Sequence, residues 1–206
     1  MKNKYKLLFI APVIALLSAC SFLEPESLSL TTSKDVFSNN TNITNLRNNM
    51  FSFLPDGYAN IGNSWLSAAS DEAEDVGETE NIQNFNTGNW NMYSNSDNVW
   101  SKNYQGIRKT FDFQQGTDTI TWIEYKLTDP VTYAARIKNL KYCRAEAKFL
   151  RAFFYFELLK MYGGIPIVDR KLDVVNDYDY MSSIKRNSFA ECVDYIVTLC
   201  DSAAKV

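Results

Sequence analysis

The sequence predicts an all-α body of helical hairpins separated by long irregular loops. Three observations predict it: apolar side chains recur every three or four residues in several segments, helix-capping signals open those segments, and the composition is that of a globular chain. The protein has 206 residues, of which 46% are hydrophobic and 22% charged. That balance suits one packed domain and fits neither disorder nor a fibrous repeat. A net charge of -3 and a pI near 5.1 argue against a nucleic-acid binder. There are no histidines, which excludes Ser-His-Asp and Cys-His nucleophile pairs, His-ligated zinc and HExxH proteases within this chain.

Residues 1–19 read as an export signal. Lys2, Lys4 and Lys6 are followed by the apolar stretch Leu7 to Leu17, broken only by Pro12. That stretch is shorter than the roughly 20 residues a membrane-spanning helix needs. Leu17-Ser18-Ala19-Cys20 resembles the lipobox of bacterial lipoproteins, which makes Cys20 the expected lipidation site and new amino terminus. By that resemblance Cys20 carries three acyl chains, and Ser21 after it permits sorting to the outer membrane. One chain alone would bind a membrane only marginally. Removing the leader takes away three lysines, so the mature chain is more acidic and has no electrostatic reason to adhere to anionic lipid. Residues 20–33, with Pro25 and several Ser and Thr, read as a tether.

The folded part is expected over residues 34–206. Thr32-Ser33-Lys34-Asp35 has capping-box character. Ile43, Leu46, Met50, Phe53 and Leu54 form a helical stripe with Asn40 or Thr41 as cap and Pro55-Asp56-Gly57 as terminator. Residues 57–98 lack long periodicity and read as a functional loop region with short helices or turns. Trp100, Tyr104, Ile107 and Phe111 place a helix over 98–114, capped by Asp97 or Asn98.

The strongest helix follows Asp129-Pro130, a favourable cap and first-turn pair, and ends at Gly163-Gly164. Its apolar stripe is Ala147, Leu150, Phe154, Leu158 and Met161, and Arg144, Lys148 and Arg151 make a second, basic stripe. The unbroken apolar run Ala152 to Phe156 predicts a turn covered on all sides. Ile165 to Val168 is a short extended exit. Ser188 and Glu191 form a capping box for a last helix through Val193, Ile196, Val197 and Cys200. The chain stops at Val206 on an apolar face, which reads as truncation. Cys143, Cys192 and Cys200 are expected to be free buried thiols, because residues 192 and 200 are about 12 Å apart along a helix.

Four segments line up in order with one family. They are Ser70-Asp71-Glu72-Ala73; Trp100-x3-Tyr104-x2-Ile107-Arg108; Ala145-Glu146-Ala147-Lys148-Phe149-Leu150-Arg151-Ala152 through Leu158, followed by Tyr162-Gly163-Gly164-Ile165-Pro166; and Arg186-Asn187-Ser188-Phe189-x-Glu191. Together with the lipoprotein signal, they resemble the SusD/RagB family of nutrient-binding outer-membrane lipoproteins, in its amino-terminal portion. The resemblance implies tetratricopeptide-like helix pairs, although the tetratricopeptide consensus is not matched, and no cofactor. It further implies a surface-exposed, lipid-anchored location in the outer membrane, a TonB-dependent β-barrel (SusC-like) partner, and capture of a nutrient such as a glycan without catalysis.

Within that frame the aromatics are the candidate ligand contacts. Trp and Tyr offer flat faces for pyranose stacking, and Asn supplies oriented hydrogen bonds. Trp90, Asn91 and Tyr93 in the Asn-rich loop, and then Trp65, are the candidate ligand-binding residues. Trp100 and Tyr104 fall on a helix stripe and read as core. Arg151 is expected to pair with Glu146 or Glu157, since a buried charge needs a partner. Asp71 to Asp75 admits a calcium site or a glycosidase carboxylate pair, but reads best as a solvated acidic turn. A surface glycoside hydrolase and a nonfunctional truncated fragment are the rival readings.

Overall fold

The computed structural model describes residues 36–37, 39–55, 59–62, 64–77 and 81–206. The chain divides into two units, residues 1–36 and 37–206, and every element below lies in the second. The export signal, Cys20, the tether and the capping signal at Thr32–Asp35 lie outside the described residues.

Helix α1 (Asn40–Phe51) is capped by Asn39, whose Oδ1 accepts the Thr41 N–H at 2.8 Å. The cap is therefore one residue ahead of the expected Asn40 or Thr41. Ile43 and Met50 are buried, while Phe53 and Leu54 lie past the helix end and still pack on the core. A two-stranded antiparallel hairpin follows, β1 (Ala59–Ile61) and β2 (Ser64–Trp65), with Ala59 opposite Trp65 and Ile61 opposite Ser64. After a 3-10 turn (Leu66–Ala69) comes the short helix α2 (Gln83–Asn86).

Helix α3 (Trp100–Asp118) runs four residues beyond the expected end. The cap position falls on Val99, whose side chain makes no capping bond, one residue past the expected Asp97 or Asn98; Asn98 Oδ1 still accepts the Trp100 N–H at 3.0 Å from just outside the helix. The chain then passes through Trp122, which is buried at φ 42°, into α4 (Ile123–Thr128). Helix α5 (Pro130–Tyr162) is 33 residues long, about 50 Å by rise per residue. Asp129 caps it by accepting the Thr132 N–H at 3.0 Å, and Gly163 closes it. Helices α6 (Tyr178–Ser183) and α7 (Phe189–Ala204) complete the chain. Ser188 and Glu191 make both arms of the expected capping box.

The body is a set of successive antiparallel helix pairs centred on α5. Along α3 and α5, Trp100 meets Tyr162, Tyr104 meets Tyr155, Thr110 meets Arg151 and Thr117 meets Arg144. These contacts run in opposite senses on the two helices, which defines a hairpin. Along α5 and α7, Tyr155 meets Tyr195 and Lys148 donates to Ser202 Oγ at 2.9 Å in the same opposed sense. Gly106 marks a close approach of α3 to α5, since a Cβ there would sit 2.8 Å from Phe154 Cε2. The fold is all-α, with the small hairpin as an elaboration of the loop region. Among the described residues no helix is long and apolar enough to cross a membrane.

Three expectations need correction. The run Ala152 to Phe156 is not covered on all sides: Phe156 is 46% exposed, and Met161 on the predicted stripe is also exposed. On α7 the buried face carries Cys192 and Leu199, with Tyr195 and Ile196 packed beside them, whereas Val193 and Val197 stand toward solvent. Arg151 is buried yet no carboxylate among the described residues pairs with it. Its Nε donates to Thr110 Oγ1 at 2.9 Å, its Nη2 donates to Gln114 Oε1 at 3.0 Å, and it lies over Phe111. Glu146 instead pairs with Arg47 on α1, and Glu157 with Lys160. The basic stripe is therefore a set of ties from α5 to its neighbours.

Cys143 and Cys192 are buried free thiols, and Cys200 is half-buried and free. Burial pushes the Cys143 thiol up, keeping it protonated.

Candidate functional site

The loop region between α1 and α3 has its own small core. Ile61 on β1, Ala68 in the 3-10 turn and Ile82 before α2 pack together, with Ala69 and Phe85 against them. Polar side chains tie its pieces: Asn86 Nδ2 donates to Ala68 O at 2.9 Å and Gln83 Nε2 to Asp75 O at 2.6 Å. An Asn-rich loop is thereby held as a defined surface.

Trp90 sits on that surface. After α2 the chain reverses at Gly88, φ 72°, a conformation that glycine adopts without strain. The Trp90 N–H then donates back to Asn84 O at 3.0 Å. The indole stacks on Phe85, with centroids 5.9 Å apart and planes 23° from parallel. Its Nε1–H donates to Asn95 Oδ1 at 3.1 Å. Trp90 is nevertheless 53% exposed, and Phe85 lies against one of its two faces.

Tyr93 is 91% exposed at the tip of the following turn. Asn91 builds that turn: its Oδ1 accepts from the Tyr93 and Ser94 N–H groups and its Nδ2 donates to Asn89 O. Most of its amide is committed to the backbone. Trp65 is exposed at the end of β2. Phe85 and Asn95 are absent from the sequence-derived candidates, although each touches the Trp90 ring. The signal for Phe85 is an aromatic residue five positions before Trp90 across a Thr87-Gly88 turn. Asn95 had no distinguishing signal among the neighbouring asparagines.

The acidic run is open to solvent from Asp71 to Glu74. Asp75 is half-buried, and hydrogen bonds from Ser64 and from the Gly77 N–H hold its carboxyl below the usual range. Among the described residues no group of three His, Cys, Asp or Glu side chains is placed to hold a metal ion.

Trp100 and Tyr104 are half-buried against the main core, as their stripe predicts. The segment from Tyr155 to Val168 is a structural clamp. Tyr155 Oη donates to Val168 O at 2.8 Å and Tyr104 Oη to Pro166 O at 2.7 Å. Burial pushes both phenols well above their ordinary value, so both stay protonated donors. A separate groove of about 910 Å³ lies between α1, α5 and α7, lined among others by Phe51, Leu54, Phe149, Phe153, Cys200 and Ala204.

Comparison with known proteins agrees with this architecture. A family model described as SusD-like, "Starch-binding associating with outer membrane", matches residues 21–206. A crystal structure of a SusD-like protein from Bacteroides fragilis matches with a TM-score of 0.57 and 24% identity. A SusD-like carbohydrate-binding protein from the same organism matches with a TM-score of 0.57 and 19% identity. Each alignment covers 82% of this chain but only 30% and 32% of the respective relative, so the chain spans about a third of their length. No curated protein matches. The match over residues 21–206, together with helix pairs centred on the Phe149–Pro166 block, places the chain in the SusD-like family.

Proposed function

We propose that this chain is a non-catalytic, surface-exposed outer-membrane lipoprotein that captures a glycan for a TonB-dependent β-barrel transporter. The observation that carries the reading is the exposed indole of Trp90, backed by Phe85 and standing in a loop rich in amides. Trp90 supplies a stacking face, Tyr93 a second aromatic at the turn tip, and Trp65 on β2 a further exposed one. Asn91 shapes the turn that presents Tyr93. One relative that shares the fold is a carbohydrate-binding protein by its own description.

The anchor is Cys20, acylated after removal of residues 1–19, with residues 20–33 as tether and 34–206 as the helical part of the domain. In this mechanism the lipoprotein covers the barrel mouth, holds the sugar near the lumen, and passes it inward on closure.

The test is co-purification. A carboxyl-terminally tagged chain is extracted from outer membranes in mild detergent and its companions identified by mass spectrometry, with Cys20→Ala as the unanchored control. A stoichiometric TonB-dependent barrel with wild type supports the reading. A folded, membrane-bound protein without a barrel overturns the partnership. Release of reducing ends from candidate polysaccharides would instead favour a surface hydrolase.

A further inference from the structure

We infer that Phe85 and Asn95 are positioning residues that fix the Trp90 indole, and that the charge-free loop around it restricts the site to uncharged saccharides. The inference rests on the reading of Trp90 as a glycan contact and deepens it.

The geometry separates what Trp90 has committed from what it has free. An indole offers two faces and one N–H donor. Phe85 covers one face, at 5.9 Å between centroids and near-parallel planes. Asn95 Oδ1 takes the donor at 3.1 Å. What remains is one apolar face, so a ligand can be recognised there by stacking and not by the indole N–H.

Both supports are themselves held. Phe85 is packed against Ile61, Ala68 and Ile82, so the stack is rooted in the small core. Asn95 Oδ1 also accepts the Asp97 N–H at 3.1 Å, which fixes the orientation of its amide. Holding the indole in its binding position before the ligand arrives removes an ordering cost that a mobile side chain would carry.

The loop's composition sets the ligand class. Residues 84–96 contain no charged side chain, and asparagines stand at 84, 86, 89, 91 and 95. A carboxylated or sulfated sugar would find no Arg or Lys in this segment to offset its desolvation. Amides match hydroxyl groups, which both donate and accept. Stacking plus amide contacts is the chemistry of a neutral sugar ring.

The experiment uses the mature chain with 15N-labelled tryptophan. Trp90 Nε1–H is assigned through Trp90→Phe, and its relaxation and exchange are followed in Phe85→Ala, Phe85→Tyr, Asn95→Leu and Asn95→Asp. Retention on gels containing soluble starch, neutral β-glucan or polygalacturonate is measured in parallel. The expected result is an ordered, slowly exchanging indole in wild type, Phe85→Tyr and Asn95→Asp, and a mobile one in Phe85→Ala and Asn95→Leu. Those two variants should weaken retention on a neutral polysaccharide by about tenfold, the scale of one lost aromatic contact. The main helical core does not include either residue, so thermal melting of the helices should stay unchanged. An indole equally ordered in Phe85→Ala and wild type overturns the positioning role. Preferential retention on polygalacturonate overturns the ligand class. Retention that survives Trp90→Phe and Trp90→Ala overturns the underlying site reading, while the indole measurement still decides the positioning role by itself.

Discussion

Arg151 on α5 donates from Nε to Thr110 Oγ1 on α3 at 2.9 Å, and its guanidinium lies 3.5 Å from the centroid of the Phe111 ring. A 5%-exposed cation is therefore held by a hydroxyl, an amide and an aromatic face instead of a carboxylate. Burial lowers its pKa, with Tyr155 and Tyr195 opposing the shift. The arrangement depends on the planar fork, which a lysine cannot reproduce.

Arg151→Lys should consequently destabilise the fold by about 1–3 kcal/mol, because the charge stays buried while its hydrogen bonds and stack are lost. Arg151→Met should stay within about 1 kcal/mol of wild type, since it removes the desolvation cost along with the contacts. Urea unfolding followed by circular dichroism decides it. A harmless lysine beside a collapsing methionine would mean that an anion pairs with Arg151 in solution.

Gly106→Ala tests the α3–α5 contact. The new Cβ would meet the fully buried Phe154 ring at 2.8 Å, and overpacking of this kind costs about 1–3 kcal/mol. The double variant Gly106→Ala with Phe154→Leu should recover part of that loss. An unchanged melting temperature in the single variant would contradict the close packing.

Stability should be flat from about pH 5 to pH 8, because no histidine is present to titrate there. Hydrogen bonds from Ser188 hold the Glu191 carboxyl below its ordinary range, and those from Thr132 do the same for Asp129. A carboxyl with a lowered folded pKa stabilises the fold above its unfolded pKa, near 4. That stabilisation is lost as the pH falls through the folded value. Denaturation between about pH 3 and pH 6 should show stability declining below about pH 4. Glu191→Gln keeps the box and should show a shallower decline.

Ser188→Ala should lower stability by about 1 kcal/mol, the usual worth of an N-cap side chain. It should fray the first turn of α7, read as faster amide exchange at Glu191, whose N–H donates to Ser188 Oγ. Unaltered exchange would show that tertiary packing alone holds that turn.

Four of the helices are legible because periodicity and capping residues agree in them to within a residue or two. Asp129-Pro130 and the Ser188/Glu191 box lie where the structure starts α5 and α7. Helix α4 was not legible: it begins after Trp122 at φ 42°, a conformation to which a tryptophan gives no sequence signal. Which side of α7 is buried is not legible, because Val193 and Val197 are as apolar as Cys192 and Leu199. Only the position of α5 decides which of them is covered. Arg151 was expected to find a carboxylate, and the rule that buried charge needs compensation is met here by neutral groups.

Of the proposed site, the sequence shows the exposed aromatics and not what supports them. Exposed aromatics in an Asn-rich stretch pointed to Trp90 and Tyr93, and the structure leaves both accessible. What one-dimensional reading misses is support from behind. Phe85 reaches Trp90 only because Gly88 reverses the chain, and Asn95 is distinguished from its neighbours only by the direction of its amide.

The central claim is that the outer face of Trp90 binds a sugar. The most direct measurement places wild type, Trp90→Ala and Trp65→Ala side by side on an array of neutral and anionic glycans, with matched circular dichroism spectra. The account predicts that wild type binds one or more neutral glycans, that Trp90→Ala loses at least about tenfold in affinity, and that Trp65→Ala loses less. Wild-type binding that Trp90→Ala leaves intact, or a wild type that binds no neutral glycan, would contradict it.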